Sequence, residues 1–470
     1  YNARSKPGTI PAKQVLFKIR PMLKKYITLL LIAFAGFSLN AQCPPGDVTL
    51  SSQAQVDAFV ADYPDCTEIA GNMLIGFLAG TDPTNITDLS GLSSLISVDG
   101  DLRIQSNADL ASLTGLEQVG SIGGLLRIFN NASLTSLTGL DELTVIGGYF
   151  DIRGNDGLTN LTGVEKLTSI GGTFSVQENN SLTSLTEFDQ LTSIGGDLAI
   201  RVNPVLTSLA GLDQLTSIGE YLSVRVNPAL TSLTALGQLT FIGGNLEIVS
   251  NDDLTSLTGL EQIITINGIL EIANNDGLTS LMGLENLTSI GEDLEIVNND
   301  GLTSLTGLDQ LTSISGNLII NSNASLSSLA GLENLDAATI DDLFIRVNTQ
   351  LSTCAIASIC NYLGVASNMA SITANATGCA TREEVETACM VSATVISQAN
   401  IKLFPNPTNG MLQMRNITAK EVVVYTAQGQ PIARYDNPGQ ELDLSALPAG
   451  VYHLHLITAD AVHAARVVKQ

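Results

Sequence analysis

Apolar side chains recur along this chain at fixed intervals, in a 24-residue frame that runs from about Leu89 to Leu351. The frame reads Leu-x-Ile-x-x-Asn-x-x-Leu-x-x-Leu-x-Gly-Leu-x-x-Leu-x-x-Ile-x-Gly-x. Its opening Leu-x-Ile alternates as a short strand with one buried face alternates. In the coil that starts at Leu294, Leu294 and Ile296 point inward and Glu295 and Val297 outward. Asn-Asp-Gly, Asn-Pro or Asn-Ala-Ser follows each strand and supplies turn chemistry. Paired glycines such as Gly123-Gly124, Gly147-Gly148, Gly171-Gly172 and Gly195-Gly196 mark the corner before the next strand, where a positive φ is expected.

A unit this short cannot enclose a core alone, so successive units must stack. The fold class is therefore mainly β, a solenoid of about eleven 24-residue coils. Neighbouring strands pair in parallel about 4.8 Å apart, which gives a rod roughly 50 Å long. The asparagine recurs at Asn107, Asn131, Asn155, Asn179, Asn203, Asn227, Asn251, Asn275, Asn299 and Asn323, and after a one-residue insertion at Asn348. An inward amide at a turn can bond the backbone of its own and the adjacent coil, so this row is structural.

Boundaries follow from where the frame starts and stops. Residues 1–21 precede Met22 and form an upstream, non-native extension. Residues 22–41 form a secretory signal, with Lys24 and Lys25 before an apolar stretch from Ile27 to Phe37. Residues 42–88 are an N-terminal cap, 89–353 the repeats, 354–390 a C-terminal cap, 391–400 a linker and 401–470 a different domain. All six cysteines lie outside the repeats. In an oxidising compartment they staple the two caps. Cys43–Cys66 is the natural first pair, and Cys354, Cys360, Cys379 and Cys389 allow three connectivities. No histidine lies near them, so a zinc site is not expected.

The strand-and-asparagine pattern, together with the opening Cys66-Thr-Glu-Ile-Ala-Gly-Asn-Met-Leu-Ile, resembles the receptor L-domain repeat. That resemblance implies the right-handed, leucine-rich-repeat-like solenoid of the insulin and epidermal growth factor receptor ectodomains. Greater regularity, a longer run of coils and the lack of cysteine-rich modules argue against a hormone-receptor role.

Charge narrows the function classes. Removing residues 1–41 leaves 14 Lys and Arg against 46 Asp and Glu, a net charge of −32 that disfavours nucleic acid. Within this acidic background, Arg103, Arg127, Phe129, Arg153, Arg201 and Arg225 lie on the strand face as a candidate contact row for an anionic or carboxylated partner. The bland alternative is that these arginines offset nearby acids such as Asp151. Glu247, Glu271 and Glu295 occupy one position in three consecutive coils and form a candidate cation row, Ca2+ being the ion such carboxylates suit. The acids from Glu117 to Glu333 at the Gly-Leu-x-x-Leu corner are turn caps. Threonine rows, including Thr135 to Thr303 and Thr144 to Thr240, suit either strand propensity or the ordering of surface water, as in ice-binding proteins.

No catalytic or metal centre is expected. His453, His455 and His463 all lie in the last domain, and the acids form uniform ladders rather than an isolated pair. The last domain alternates short strands with Gly, Pro and Asn turns, as a small antiparallel β-sandwich does. Its segments Lys402-Leu-Phe-Pro-Asn-Pro-Thr-Asn-Gly410, Val422 to Gln430, Leu442 to Tyr452 and Arg466-Val-Val-Lys-Gln470 resemble the C-terminal sorting domain of the type IX secretion system of Bacteroidetes. That resemblance implies the secretion machinery as a partner, and a secreted or outer-surface location with no transmembrane span in the mature chain. The expected function is non-enzymatic binding, in adhesion or recognition of an extracellular protein or glycan. A coat component or an ice or crystal-surface binder is the alternative. The scarcity of aromatic residues favours protein over glycan.

Overall fold

The computed structural model describes residues 43–77, 84–392, 402–415, 417–426, 431–458 and 462–470. The signal and upstream readings fall on residues outside this set, as does the linker over 393–400. The alternating tetrapeptides form one 14-stranded parallel sheet. Strand Leu102–Gln105 pairs with Leu126–Phe129, that with Phe150–Arg153, and so on, each residue opposite its counterpart in the next coil. Inward leucine and isoleucine side chains from every coil merge into one continuous buried core.

The asparagines form a continuous ladder through this core. Asn203 is fully buried; its backbone N–H and its Nδ2 both donate to Asn227 Oδ1, at 3.1 and 3.3 Å. Nδ2 also donates to Val176 O in the preceding coil and to Arg201 O in its own. The bonds to the next asparagine and to the preceding coil recur from Asn107 to Asn348, and the own-coil bond from Asn155 to Asn323. Asn375, in the C-terminal cap and not anticipated, receives the bonds from Asn348 at 2.9 and 3.0 Å. Each amide thus satisfies backbone groups that water cannot reach.

The residue before each asparagine sits in the left-handed region. Ser106, Asn130, Glu178, Val202, Val226, Ser250, Asn274, Asn298, Ser322 and Val347 have φ between 54° and 60°. For valine this conformation is a steric outlier. Three valines hold it because the ladder on either side leaves the chain no other route.

The glycine-pair expectation is corrected. Gly123, Gly147, Gly171 and Gly195 are not among the glycines of positive φ; those are Gly115, Gly139, Gly163 and their counterparts at the Leu-x-Gly-Leu corner. The paired glycines are needed for space instead: a Cβ on Gly147 would lie 2.3 Å from Gly123 O, and one on Gly171 2.1 Å from Gly147 O. Second strands of two residues, such as Ser169–Ile170, run beside this glycine column. They form sheets of eight and three strands, divided between Phe241–Ile242 and Thr265–Ile266. The division falls where Asn267 replaces the glycine and brings a side chain into that tight approach.

The corner acids other than Asp189 cap turns as expected. Glu117 accepts from Gly115 N at 3.0 Å, and Asp141, Glu165, Asp213, Glu261, Glu285, Asp309 and Glu333 do the same two residues back. Where the glycine is replaced, at Glu187 and Ala235, the corner winds instead as a 3-10 turn, Thr186–Phe188 and Thr234–Leu236.

The caps are part of the rod rather than separate lids, which revises both the boundaries and the coil count. Val48–Leu50 and Met73–Gly76 open the long sheet and Ala370–Thr373 closes it. The result is a solenoid of about 13 turns instead of eleven. Helix α1, Gln53–Asp62, covers the first end with Val56 and Phe59. Helices α2, Ala357–Leu363, and α3, Arg382–Ser392, cover the other. Cys43 pairs with Cys66; of the three connectivities open for the rest, Cys354–Cys379 and Cys360–Cys389 form, the latter joining α2 to α3.

The last domain is an antiparallel sandwich. A three-stranded sheet holds Lys402–Phe404, Met411–Arg415 and Glu441–Asp443, and a four-stranded sheet holds Ala419–Thr426, Pro431–Gly439, Gly450–Ile457 and Val462–Lys469. Leu412, Met414, Val422, Val424, Leu454, Leu456 and Val467 fill its core. No described helix is long and apolar enough to cross a membrane.

Two substitutions test the ladder. Asn227→Ala leaves buried groups on both sides unpaired and is expected to cost about 3 kcal/mol, lowering the melting temperature followed by circular dichroism. Val226→Asn, the residue found at that place in coils 130, 274 and 298, is expected to stabilise by about 1 kcal/mol by relieving the β-branched strain. An unchanged melting temperature in Asn227→Ala would remove the ladder from its central role.

Candidate functional site

The outer face of the long sheet carries two columns of side chains, not the single arginine row expected. The second strand position gives Arg103, Arg127, Asp151, Ser175, Ala199, Ser223, Glu247, Glu271, Glu295, Ile319 and Phe344. The fourth gives Gln105, Phe129, Arg153, Gln177, Arg201, Arg225, Val249, Ala273, Val297, Asn321 and Arg346. Period-two alternation sends both positions outward, but register keeps them apart. Arg103 and Arg127 belong to the first column; Phe129, Arg153, Arg201 and Arg225 to the second.

Every arginine of the expected row has an acid. Arg103 pairs with Asp101 at 2.7 Å, Arg127 with Asp151 at 2.8 Å and Arg153 with Glu178 at 2.9 Å. Arg225 reaches both Glu247, at 3.2 Å, and Glu271, at 2.9 Å, while Arg201 approaches Glu247 at 3.9 Å. Ser223 Oγ also donates to Glu247 at 2.8 Å. The arginine row and the cation row therefore meet in one network. Arg225 supplies positive charge to the first two carboxylates of the cation row. Of the three, Glu295 alone has no cationic partner among the described residues.

Glu295 is half-buried. Its carboxyl is pushed above the usual range, first by burial, then by the Glu271 and Asp293 charges. Glu271 is raised by burial as well, with Arg225 opposing and Glu247 adding to the shift. Beyond Glu295 the face turns apolar, with Val297 beside it, then Ile319 and Phe344. The Arg346 guanidinium lies 4.7 Å from the centre of the Phe344 ring and donates to Ser371 Oγ. Asn321 Oδ1, in the same stretch, is buried without a hydrogen-bond partner. Sequence reasoning singles out none of Ile319, Asn321, Phe344 and Arg346, although they occupy the same frame positions as the charged residues.

The threonine rows are committed to the scaffold. Thr159, Thr183, Thr207 and Thr231 each donate a hydroxyl to the carbonyl one coil earlier, and Thr168, Thr192, Thr216 and Thr240 do so in the second row. Such hydroxyls have spent their donor, which weakens the water-ordering reading.

In the last domain, segments far apart in sequence are laced together. Asn406 Nδ2 donates to Arg466 O at 2.8 Å, and Val468 N to Asn406 Oδ1 at 2.9 Å. Thr408, buried, pairs with Val468 and Gln470 through its backbone. The Phe-Pro-Asn-Pro-Thr loop and the terminal strand thus form one surface. Residues 402–470 match the family described as Secretion system C-terminal sorting domain. No curated protein matches the chain. The sorting domain marks the chain as exported by the type IX machinery of Bacteroidetes, to the outer surface or the medium.

The raised Glu295 carboxyl has a stability consequence. Its ionised form costs folding free energy at neutral pH; the cost is absent below the unfolded-state pKa of about 4.3 and complete once pH exceeds the folded value. One like-charged neighbour about 4.8 Å away contributes roughly 0.9 kcal/mol in a water-like dielectric. Glu295→Gln is therefore expected to raise the melting temperature at pH 7 by the equivalent of about 1 kcal/mol. The gain should fade as pH falls to about 4. A gain that persists unchanged at acidic pH would contradict this assignment.

Proposed function

We propose that this exported chain is a non-enzymatic recognition protein that captures an extracellular protein on its strand face. The observation that carries the reading is Glu295: a half-buried carboxylate, in register with two carboxylates served by Arg225, that lacks a cation of its own. Next to it the face is apolar, through Val297, Ile319 and Phe344. A lysine or arginine flanked by apolar side chains would supply the missing charge and cover that surface. Desolvated, oppositely charged pairs of this kind fix register and partner choice. Export supports an extracellular partner. The likeness of the strand repeat to receptor L-domains supports recognition over structural packing.

The arginines play the complementary part. With their charges taken by acids of the same face, they prevent the first half of the sheet from presenting the same vacancy. The histidines support a non-enzymatic reading, since all three lie in the sorting domain and none in the repeats that carry the strand-face carboxylates.

Peptide arrays displayed to the purified chain test the proposal. Cationic peptides with flanking apolar residues are expected to be retained, and acidic ones not. Glu295→Lys should weaken retention by at least about tenfold, in line with the cost of disrupting a desolvated pair. Rising salt should weaken it too, and Arg103→Ser should leave it unchanged. Equal retention by the parent and by Glu295→Lys would sink the assignment.

A further inference from the structure

The repeat usually places serine at one outward position of the short strands, and two coils put an apolar side chain there instead. Ser121, Val145, Ser169, Ser193, Ser217 and Phe241 stand opposite one another in register. Val145 and Phe241 are exposed, at 40% and 47%. Between them lies an open cleft of about 390 Å3, floored by Ser169, Ser193, Ser217 and the exposed glycines of the corner. Four coil steps separate its ends, roughly 19 Å.

Two tyrosines stand beside the cleft, each four residues past a residue that lines it, Val145 and Ser217. Tyr149 follows Val145 in the same coil, and its Cδ1 lies 2.2 Å from where a Cβ on Gly172 would be. Tyr221 places its Cδ1 at the same distance over Gly244, two residues past Ile242. Each ring thus rests on a glycine of the next coil, with 58% and 46% of its residue still exposed. Rings so placed offer a hydrophobic face with a polar tip.

The floor narrows what can lie there. Gly147, Gly171, Gly195 and Gly219 donate their N–H groups to the preceding coil, at 2.8 to 2.9 Å, so no peptide strand can add to them. Among the described residues the Ser169, Ser193 and Ser217 hydroxyls have no hydrogen-bond partner, whereas the adjacent Thr168, Thr192 and Thr216 hydroxyls each donate to a carbonyl. No charged side chain lines the cleft, on a chain otherwise strongly acidic. Unpaired hydroxyls between exposed rings, in an uncharged cleft, call for an occupant that is itself uncharged, extended and rich in hydroxyls.

We propose that this cleft binds a linear, uncharged polysaccharide. Tyr149 and Tyr221 stack on sugar rings, Val145 and Phe241 bound the chain at the two ends, and the three serines hydrogen-bond its hydroxyls. Aromatic residues are scarce overall, but of the four that are exposed among the described residues, Phe77, Tyr149, Tyr221 and Phe241, three lie here, which sets aside the compositional argument against a glycan. The site is on a different face from the proposed protein-binding surface, and either can fail without the other.

The test is affinity electrophoresis and calorimetry of the full chain with mannan, mixed-linkage β-glucan and arabinoxylan, and with polygalacturonate as the anionic control. At least one neutral polymer is expected to retard the chain, equally at low and high salt. The double variant Tyr149→Thr with Tyr221→Asn uses residues present at that position in neighbouring coils, Thr173 and Asn245. It should melt like the parent and lose at least about tenfold in affinity, the scale of a buried aromatic anchor. Phe241→Ser restores the repeat's own residue and should weaken binding as well, while Glu295→Lys should not. Failure of all three neutral polymers, retardation by polygalacturonate alone, or undiminished binding by the folded double variant would each overturn the proposal.

Discussion

The asparagine ladder is the constraint on which this structure depends. A coil of 24 residues leaves polar backbone groups inside at its turn, and one buried amide per coil serves them. Because each Oδ1 accepts from the coil before it, the amide of one coil is useful only if the next is in register. Stacking is thereby all or nothing at each step, as expected for a nearest-neighbour solenoid. The left-handed residue before each asparagine, valine included, shows the strength of that demand: local preference yields to the ladder.

Exact register has a second effect, since it turns every outward position into a column. On the long sheet the columns collect charge, and ion pairs within and between them consume most of it. On the short-strand side the close approach of coils keeps glycine at one position from Gly123 to Gly243, so no long side chain covers the floor there. The two faces therefore differ in kind for reasons of backbone spacing, before any selection for binding. A charged and an uncharged surface can coexist on one narrow rod because the columns do not mix.

Much of this was legible in the sequence. Period-two alternation gave the inward Leu and Ile positions, the repeated amide was recognisable as structural, and the corner acids as turn caps. What escaped was whatever depends on distance between coils. The glycine pairs resemble any turn glycines in sequence, and only a neighbour 2.1 to 2.3 Å from a hypothetical Cβ shows that space rather than φ selects them. The caps looked separate because their lengths break the period, yet Val48–Leu50 and Ala370–Thr373 still join the sheet. The arginines were grouped by charge, although Arg127 and Arg153 stand in different columns.

A chain that repeats itself also supplies its own standard of comparison. Conformity at a buried position is explained by packing, and conformity at an exposed one by hydrogen bonds such as those of the threonine rows. Departure at an exposed position has no such explanation, because the scaffold already accepts the common residue in the coils on either side. Placing an apolar group in water there gains nothing for folding. Val145 and Phe241 are departures of this sort at the two ends of one cleft, with Tyr149 and Tyr221 beside it, while Ile96, Ile264 and Met282 are exposed departures elsewhere. Glu295 follows the same logic in charge: its neighbours in the column share Arg225, and it has been left without a counterpart. In a solenoid whose fold is fixed by what repeats, the places where repetition stops are where recognition has room to be specific.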